Sequence, residues 1–103
     1  DRVYFTFTPD PRKNPKAAAI VERFRAAKIE PEGYVLYAYA ALQLFQQAVT
    51  KAGSVERAKL EPALRQGKFD TAIGTLEFDA KGDLKTPAFA VYKWTGGSYD
   101  YAK

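Results

Sequence analysis

The stretch from Pro31 to Gly53, PEGYVLYAYAALQLFQQAVTKAG, constrains this chain more than any other. Its apolar density is the highest in the sequence, and it ends cleanly at a glycine. From Gln43 onward it reads as an amphipathic helix: Gln43, Gln46, Gln47 and Thr50 recur at i, i+3, i+4 and i+7 and form one polar stripe. Leu44, Phe45, Ala48, Val49 and Ala52 take the other side. Extended backwards, the polar stripe meets Leu36, Tyr39 and Ala40, so the first turns are apolar on every face. Such a helix end is normally buried, and the expectation is that a sheet covers it. Gly53 suits a left-handed C′ position, with Lys51 in the last turn favourable for the helix dipole. At the other end, Pro31-Glu32-Gly33 reads as a turn with Gly33 as N-cap.

The rest of the chain supplies partners for this helix. Residues 3–8, VYFTFT, alternate Val3, Phe5 and Phe7 against Tyr4, Thr6 and Thr8, a strand rich in aromatic and β-branched residues. Pro9-Asp10-Pro11 ends it, because neither proline can donate to a ladder. Asn14 followed by Pro15 is a helix start, and the helix is expected to run to about Ala27. Ala17, Ile20, Val21 and Phe24 face inward on it, and Lys16, Glu22, Arg23 and Lys28 outward. After Gly53, Ser54 caps a third helical segment reaching about Gln66. Pro62 removes a backbone donor and crowds the preceding turn, so the expectation is a kink or a helix that starts only near Glu61. Residues 69–79 read as extended, with Gly74 marking a bulge or a close backbone approach. Asp79 to Asp83 is a turn. Residues 88–94 form a further strand, and Gly96-Gly97 turns it into residues 98–102. The order is strand, helix, helix, helix, then strands: an α/β chain without internal repeats.

At 103 residues the chain is at most one domain, and 47% apolar with 27% charged residues is ordinary for a globular protein. Sixteen Lys and Arg against twelve Asp and Glu leave a net charge of +4 with no basic run, so no nucleic-acid partner is expected. There is no cysteine, which removes disulfides and thiolate metal sites. No uninterrupted apolar run approaches the length of a membrane span, and no signal peptide is present. A chain without methionine, at position 1 or elsewhere, is expected to begin downstream of a gene's own start, so the missing signal says nothing about export.

Chemistry is sparse. There is no histidine and no cysteine, hence no imidazole base, imidazole ligand or thiol nucleophile. No carboxylates form a close pair on an apolar background. Asp79-x-x-x-Asp83 beside Gly82 faintly suggests a calcium loop, but Lys81 stands where a ligand should be, and a plain turn is the better reading. No phosphate-binding glycine loop and no nucleophile elbow occur. The chain is expected not to be an enzyme, and no cofactor is implied. The aromatic residues are the informative ones: seven Tyr, seven Phe and one Trp. Most belong in a core. Tyr34 and Tyr37 stand apart because they open the central helix one turn apart. Helix N-termini suit a ligand carboxylate, and a tyrosine there can stack on an apolar group and still offer a hydroxyl. From the residues alone, core packing is the favoured reading of the pair over ligand binding.

EGYVLYAYAALQ followed by GKFDTAIGTLEFDAKGD resembles the C-terminal part of the leucine/isoleucine/valine-type solute-binding proteins of bacterial ABC importers. YFTFTPDPRKNPKAAAIVERFRA before it and FAVYKWTGGSYDYA after it fit the same family in the same order. The resemblance covers nearly the whole of 1–103, and because members of that family are several-fold longer, it implies a C-terminal segment of a two-lobed type I periplasmic binding protein. It implies closure of the lobes on an amino acid of the branched-chain type, or a related small carboxylate or aromatic acid, and delivery to a membrane permease from the periplasm. Chain crossings between lobes are expected near 7–12 and 79–88. The aromatic at the position of Tyr34 contacts the ligand side chain in this family; Tyr37 inherits less. A sensor domain of the same fold, or a stand-alone protein-interaction module, remains open. The uncovered face at Leu36, Tyr39 and Ala40 and the exposed strand edges lead to an expectation of self-association.

Overall fold

A computed structural model describes residues 2–103. Strand β1 (Tyr4–Phe7) leads through 3-10 turns at Pro11–Lys13 and Pro15–Ala17 into helix α1 (Ala18–Ala26). Helices α2 (Val35–Ala52) and α3 (Arg57–Gln66) follow. Strands β2 (Phe69–Thr71), β3 (Gly74–Leu76), β4 (Ala90–Thr95) and β5 (Ser98–Tyr101) complete the chain. The strand-helix-helix-helix-strands order of an α/β chain is as expected, while several details differ.

Asn14 does cap, its side chain accepting from the Lys16 amide. The turn it caps is 3-10, and the α-helix begins only at Ala18. The far end of α1 is closed by Lys28 at φ 61°, a left-handed conformation unusual outside glycine. Residue Gly53 occupies the left-handed C-cap of α2, its N–H returning to Val49 O at 2.8 Å. The N-cap of α2 is Tyr34 and not Gly33, which sits one residue earlier at φ 58°. Pro62 neither kinks α3 nor delays it; the helix runs unbroken from Arg57 to Gln66 with Pro62 exposed. The stretch 69–79 is not one strand with a bulge. It folds at Ala72-Ile73 into the β2–β3 hairpin, and Gly74, at φ 111°, leaves the turn.

The helical core has two centres. Ala17 and Val21 of the first helical region pack on Leu36, with Ile20, Phe24 and Ile73 around them. Ala48, Leu60 and Phe69 form the other, backed by Leu44, Leu64 and Phe78. Helix α1, not a sheet, therefore covers the all-apolar start of α2: Leu36 is fully buried, Ala40 is buried, and Tyr39 meets Phe24 edge-on at 6.2 Å. The face expected to lie open at Leu36, Tyr39 and Ala40 is closed. The polar stripe also has a structural use, since Gln43 Oε1 accepts from Ala72 N at 2.7 Å and Gln47 Nε2 donates to Asp70 O at 2.8 Å. These bonds hold the hairpin to α2 and turn Leu42 and Phe45 outward, 70% and 47% exposed. Gly67 admits the Phe69 ring so closely that a Cβ there would lie 2.1 Å from Cζ.

The second body is an antiparallel sheet in the order β1-β4-β5. Tyr4 to Phe7 pair with Lys93 to Ala90, and Tyr92 to Thr95 with Tyr101 to Ser98 around Gly96-Gly97, both at positive φ. Phe5, Tyr92, Tyr99 and Trp94 stack on one another along it. Sheet and helices meet where β1 exits, at Thr8–Lys13, and a second connection runs from Glu77 to Phe89. The Asp79–Asp83 turn in that connection uses Asp79 Oδ1 to accept three backbone amides at 2.9–3.0 Å, as a turn requires.

Candidate functional site

The exit of β1 and the entrance of α2 lie against each other, and their side chains make the most structured polar region of the chain. Pro9 and Pro11 keep the backbone extended and deny it ladder partners, so its carbonyls and the Asp10 amide must be satisfied otherwise. Three tyrosine hydroxyls do so. Tyr92 donates to Thr8 O at 2.8 Å, Tyr37 donates to Pro9 O at 2.8 Å, and Tyr101 accepts from Asp10 N at 2.9 Å.

Arg12, one turn on, forks onto Asp10, with Nε 3.0 Å from Oδ1 and Nη2 2.7 Å from Oδ2. Its Nη1 reaches Glu30 Oε1 at 3.0 Å, and Arg25 grips the same carboxylate at 2.9 and 3.0 Å. Such bidentate pairs fix geometry as well as charge. Hydrogen bonds from Arg25 and then Arg12 hold Glu30 down to about 2, and Arg12 lowers Asp10. The network fastens the loop that carries Glu30 and Pro31, immediately before Tyr34, to the end of β1.

The two residues singled out by sequence come out differently. Tyr34 is 66% exposed at the N-cap of α2, its ring 5.2 Å from Phe7 and 6.3 Å from Tyr37. Among the described residues nothing takes its hydroxyl. No side chain caps this helix end and no acidic residue lies in its first turn, so its dipole end is open to an anion. Tyr37 is half-buried, burial pushes its hydroxyl pKa up, and that hydroxyl is occupied by Pro9. That bond ties its hydroxyl to the β1 exit. The structure thus brings the pair together with one ring free and one fixed.

Two cavities flank the β1 exit. One, of about 270 Å³, is walled by Phe5, Phe7, Tyr92, Trp94 and Tyr99 with Asp10, Arg12 and Gly33. The other, of about 240 Å³, lies between Tyr37, Ile73, Leu76, Leu84 and Phe89. Tyr34 borders neither. Asp10, Arg12, Tyr92 and Tyr101 were not anticipated, because the bonds that tie them across the fold, Asp10 to Tyr101, Arg12 to Glu30 and Tyr92 to Thr8, join residues distant in sequence; only the proline pair hinted that this backbone needed outside partners. Among the described residues no group of acidic side chains is arranged to hold a metal ion, and no helix is long and apolar enough to cross a membrane.

Known proteins resemble this chain in sequence and in fold. The model of the family described as periplasmic binding protein matches residues 1–98. A Leu/Ile/Val-binding protein homolog 1 of Brucella suis is 46% identical over 100 residues, 93% of this chain and 27% of that protein. An amino acid binding protein of Pseudomonas aeruginosa is 45% identical over 92 residues, 89% of this chain and 25% of its own length. Among solved structures, a leucine-binding protein of Thermotoga maritima superposes with a TM-score of 0.79 at 27% identity, covering 100% of this chain and 30% of that one. An ABC-transporter substrate-binding protein of Desulfitobacterium hafniense, solved with Leu, gives 0.83 at 24% identity over 99% of this chain and 31% of that one, a likeness of fold. The chain spans about a quarter of the length of the curated relatives it matches, and its fold corresponds to part of the type I periplasmic-binding-protein fold. With the family model matched over nearly its whole length, this chain belongs to the periplasmic binding proteins.

Proposed function

We propose that this chain forms part of the solute-binding component of an ABC importer, a periplasmic receptor that closes on a small carboxylate and presents it to a membrane permease. The ligand class is an amino acid of the branched-chain type or a related aromatic acid, and the work is binding with lobe closure, not chemistry. One observation carries the ligand assignment: Tyr34 projects, 66% exposed and with a free hydroxyl, from the uncapped N-terminus of α2. A ring there stacks on an apolar ligand side chain, the hydroxyl admits a more polar one, and the adjacent dipole end favours the carboxylate. The 46% identity to a Leu/Ile/Val-binding homolog supports the same class. The chain's passages between sheet and helices at 7–12 and 79–88 are the lobe crossings in this reading.

The test is calorimetric titration of the full-length gene product with leucine, isoleucine, valine and benzoate, each against Tyr34→Ala and Tyr34→Phe. At least one ligand should bind, and Tyr34→Ala should weaken it about ten- to a hundred-fold, the worth of one buried aromatic side chain. Tyr34→Phe should retain most affinity for an apolar ligand. No binding of any of the four, or equal affinity in Tyr34→Ala, overturns the reading.

A further inference from the structure

The three tyrosines at the β1 exit come from three different elements and meet two successive peptide units, Thr8–Pro9 and Pro9–Asp10. Tyr37 belongs to α2, Tyr92 to β4 and Tyr101 to β5, yet their hydroxyls all bind within Thr8–Asp10. Two of these elements are in the sheet and one is in the helical body. The segment between them is the place where the two bodies touch, so these bonds bear on how one body is oriented against the other.

Three further observations fit a segment whose job is orientation. The molecule is elongated, 50 × 34 × 19 Å with a radius of gyration of 16.2 Å, against roughly 13 Å for a compact chain of this length. Two bodies joined at a narrow waist have that shape. The Thr8 Oγ1 hydroxyl is buried inside the waist, beside the Tyr37 hydroxyl. Lys13 extends the grip, lying 4.2 Å over the Tyr101 ring and pairing with Asp100 of β5.

We propose that Tyr37, Tyr92 and Tyr101 are positioning residues, a hydroxyl clamp that sets the resting angle between the sheet and the helical body. Their hydroxyls are engaged by the strand exit. They act through the Thr8–Asp10 backbone, and their consequence for binding rests on the solute-binding reading above: loosening the clamp alters how readily the receptor closes, while Tyr34 and its contact surface stay intact.

The experiment is single-molecule energy transfer in the full-length gene product. One dye is carried by Lys51→Cys in α2 and the other by Ser98→Cys at the sheet hairpin, both exposed positions, in a background where any cysteine outside these 103 residues is replaced by serine. High dilution keeps the molecules apart. Unmodified protein without ligand should give one narrow distribution. Tyr37→Phe, Tyr92→Phe and Tyr101→Phe keep the ring and lose one hydroxyl, and each should shift the ratio of set to displaced orientations by roughly two- to ten-fold, the worth of one hydrogen bond. Tyr39→Phe, whose ring packs on Phe24 inside the helical body, should leave the distribution unchanged. Circular dichroism on every variant separates a displaced body from an unfolded one.

If all three clamp variants match the unmodified protein, the clamp is overturned. A Tyr39→Phe change as large as theirs overturns it too. Leucine added to the same samples distinguishes the two readings. Broadening in Tyr92→Phe without any leucine, isoleucine, valine or benzoate binding removes the receptor reading and leaves the clamp. Ligand binding with an unchanged distribution removes the clamp and leaves the receptor.

Discussion

Arg12 joins two carboxylates that the chain places far apart, Asp10 in the strand exit and Glu30 in the loop before α2. Both carboxyls are held below their ordinary values, Glu30 to about 2 from 4.5. A depressed carboxyl stabilises the fold above its unfolded pKa and loses that contribution as pH falls through its folded one. The thermal midpoint should therefore decline as pH drops from 4.5 towards 2, and Arg12→Gln should remove the part of that decline due to Asp10. The effect is modest because Glu30 is solvent-exposed and water screens the pair. A midpoint that stays level over this range in the unmodified protein would show the pairs to be idle. At this scale the helix start beside Tyr34 was legible, since a helix that follows a glycine turn can be read locally. Tyr37 was read as its weaker companion, and its bond to Pro9 was not legible because that partner lies 28 positions away. Arg12 was not legible, because nothing in PDPRK says which carboxylate eighteen positions away will answer it.

Helix α3 shows how an element can keep a residue that its own propensities oppose. Pro62 deletes one helical hydrogen bond and crowds the turn before it, yet Leu60 is buried and Leu64 packs in the same core centre, so tertiary contact holds the helix continuous. Pro62 itself is exposed and contributes no packing. Pro62→Ala should therefore stabilise the chain by about 1–2 kcal/mol, the helix gain less the entropy that proline removes from the unfolded chain. Chemical denaturation measures it, and a lower midpoint in the variant would mean that Pro62 fits a local geometry better than alanine does. The β2–β3 hairpin was hidden for a related reason. Ala72-Ile73 lacks ordinary turn residues, and its turn is completed by Thr71 Oγ1 donating to Gly74 O at 2.7 Å and by Gln43 from α2. A turn finished by a side chain from another element leaves no local signature, and so 69–79 read as a single strand. The strands at 3–8, 88–94 and 98–102 were legible because alternation and Gly96-Gly97 are local.

Across the whole molecule, surface area is the telling quantity. A compact chain of this size exposes roughly 5,800 Å², whereas this one exposes 7443 Å². The excess, roughly 1,600 Å², is about twice what one partner contributes to a standard protein–protein interface. Helix α1 closes the face at Leu36 and Ala40, so the open surface lies elsewhere. Leu42 and Phe45 stand out from α2, and Phe89, Val91 and Trp94 from the sheet and its approach. The edges of β1 and β5 have no neighbour among the described residues, and the β2–β3 hairpin is a sheet of only two strands. Relatives that this chain matches are about four times its length, and in a protein of that size other segments would cover such a surface. We therefore propose that the 103 residues alone self-associate, through the outer sheet edges and the Leu42–Phe45 face. Sedimentation velocity over a rising concentration series should show the weight-average mass climbing beyond one chain. Phe45→Glu, at an exposed position that no core centre uses, should lower that climb while leaving the helical content unchanged. A monodisperse monomer with a cooperative melt at high concentration would overturn the proposal, and would mean that two small core centres and the clamped waist suffice to hold this elongated chain folded.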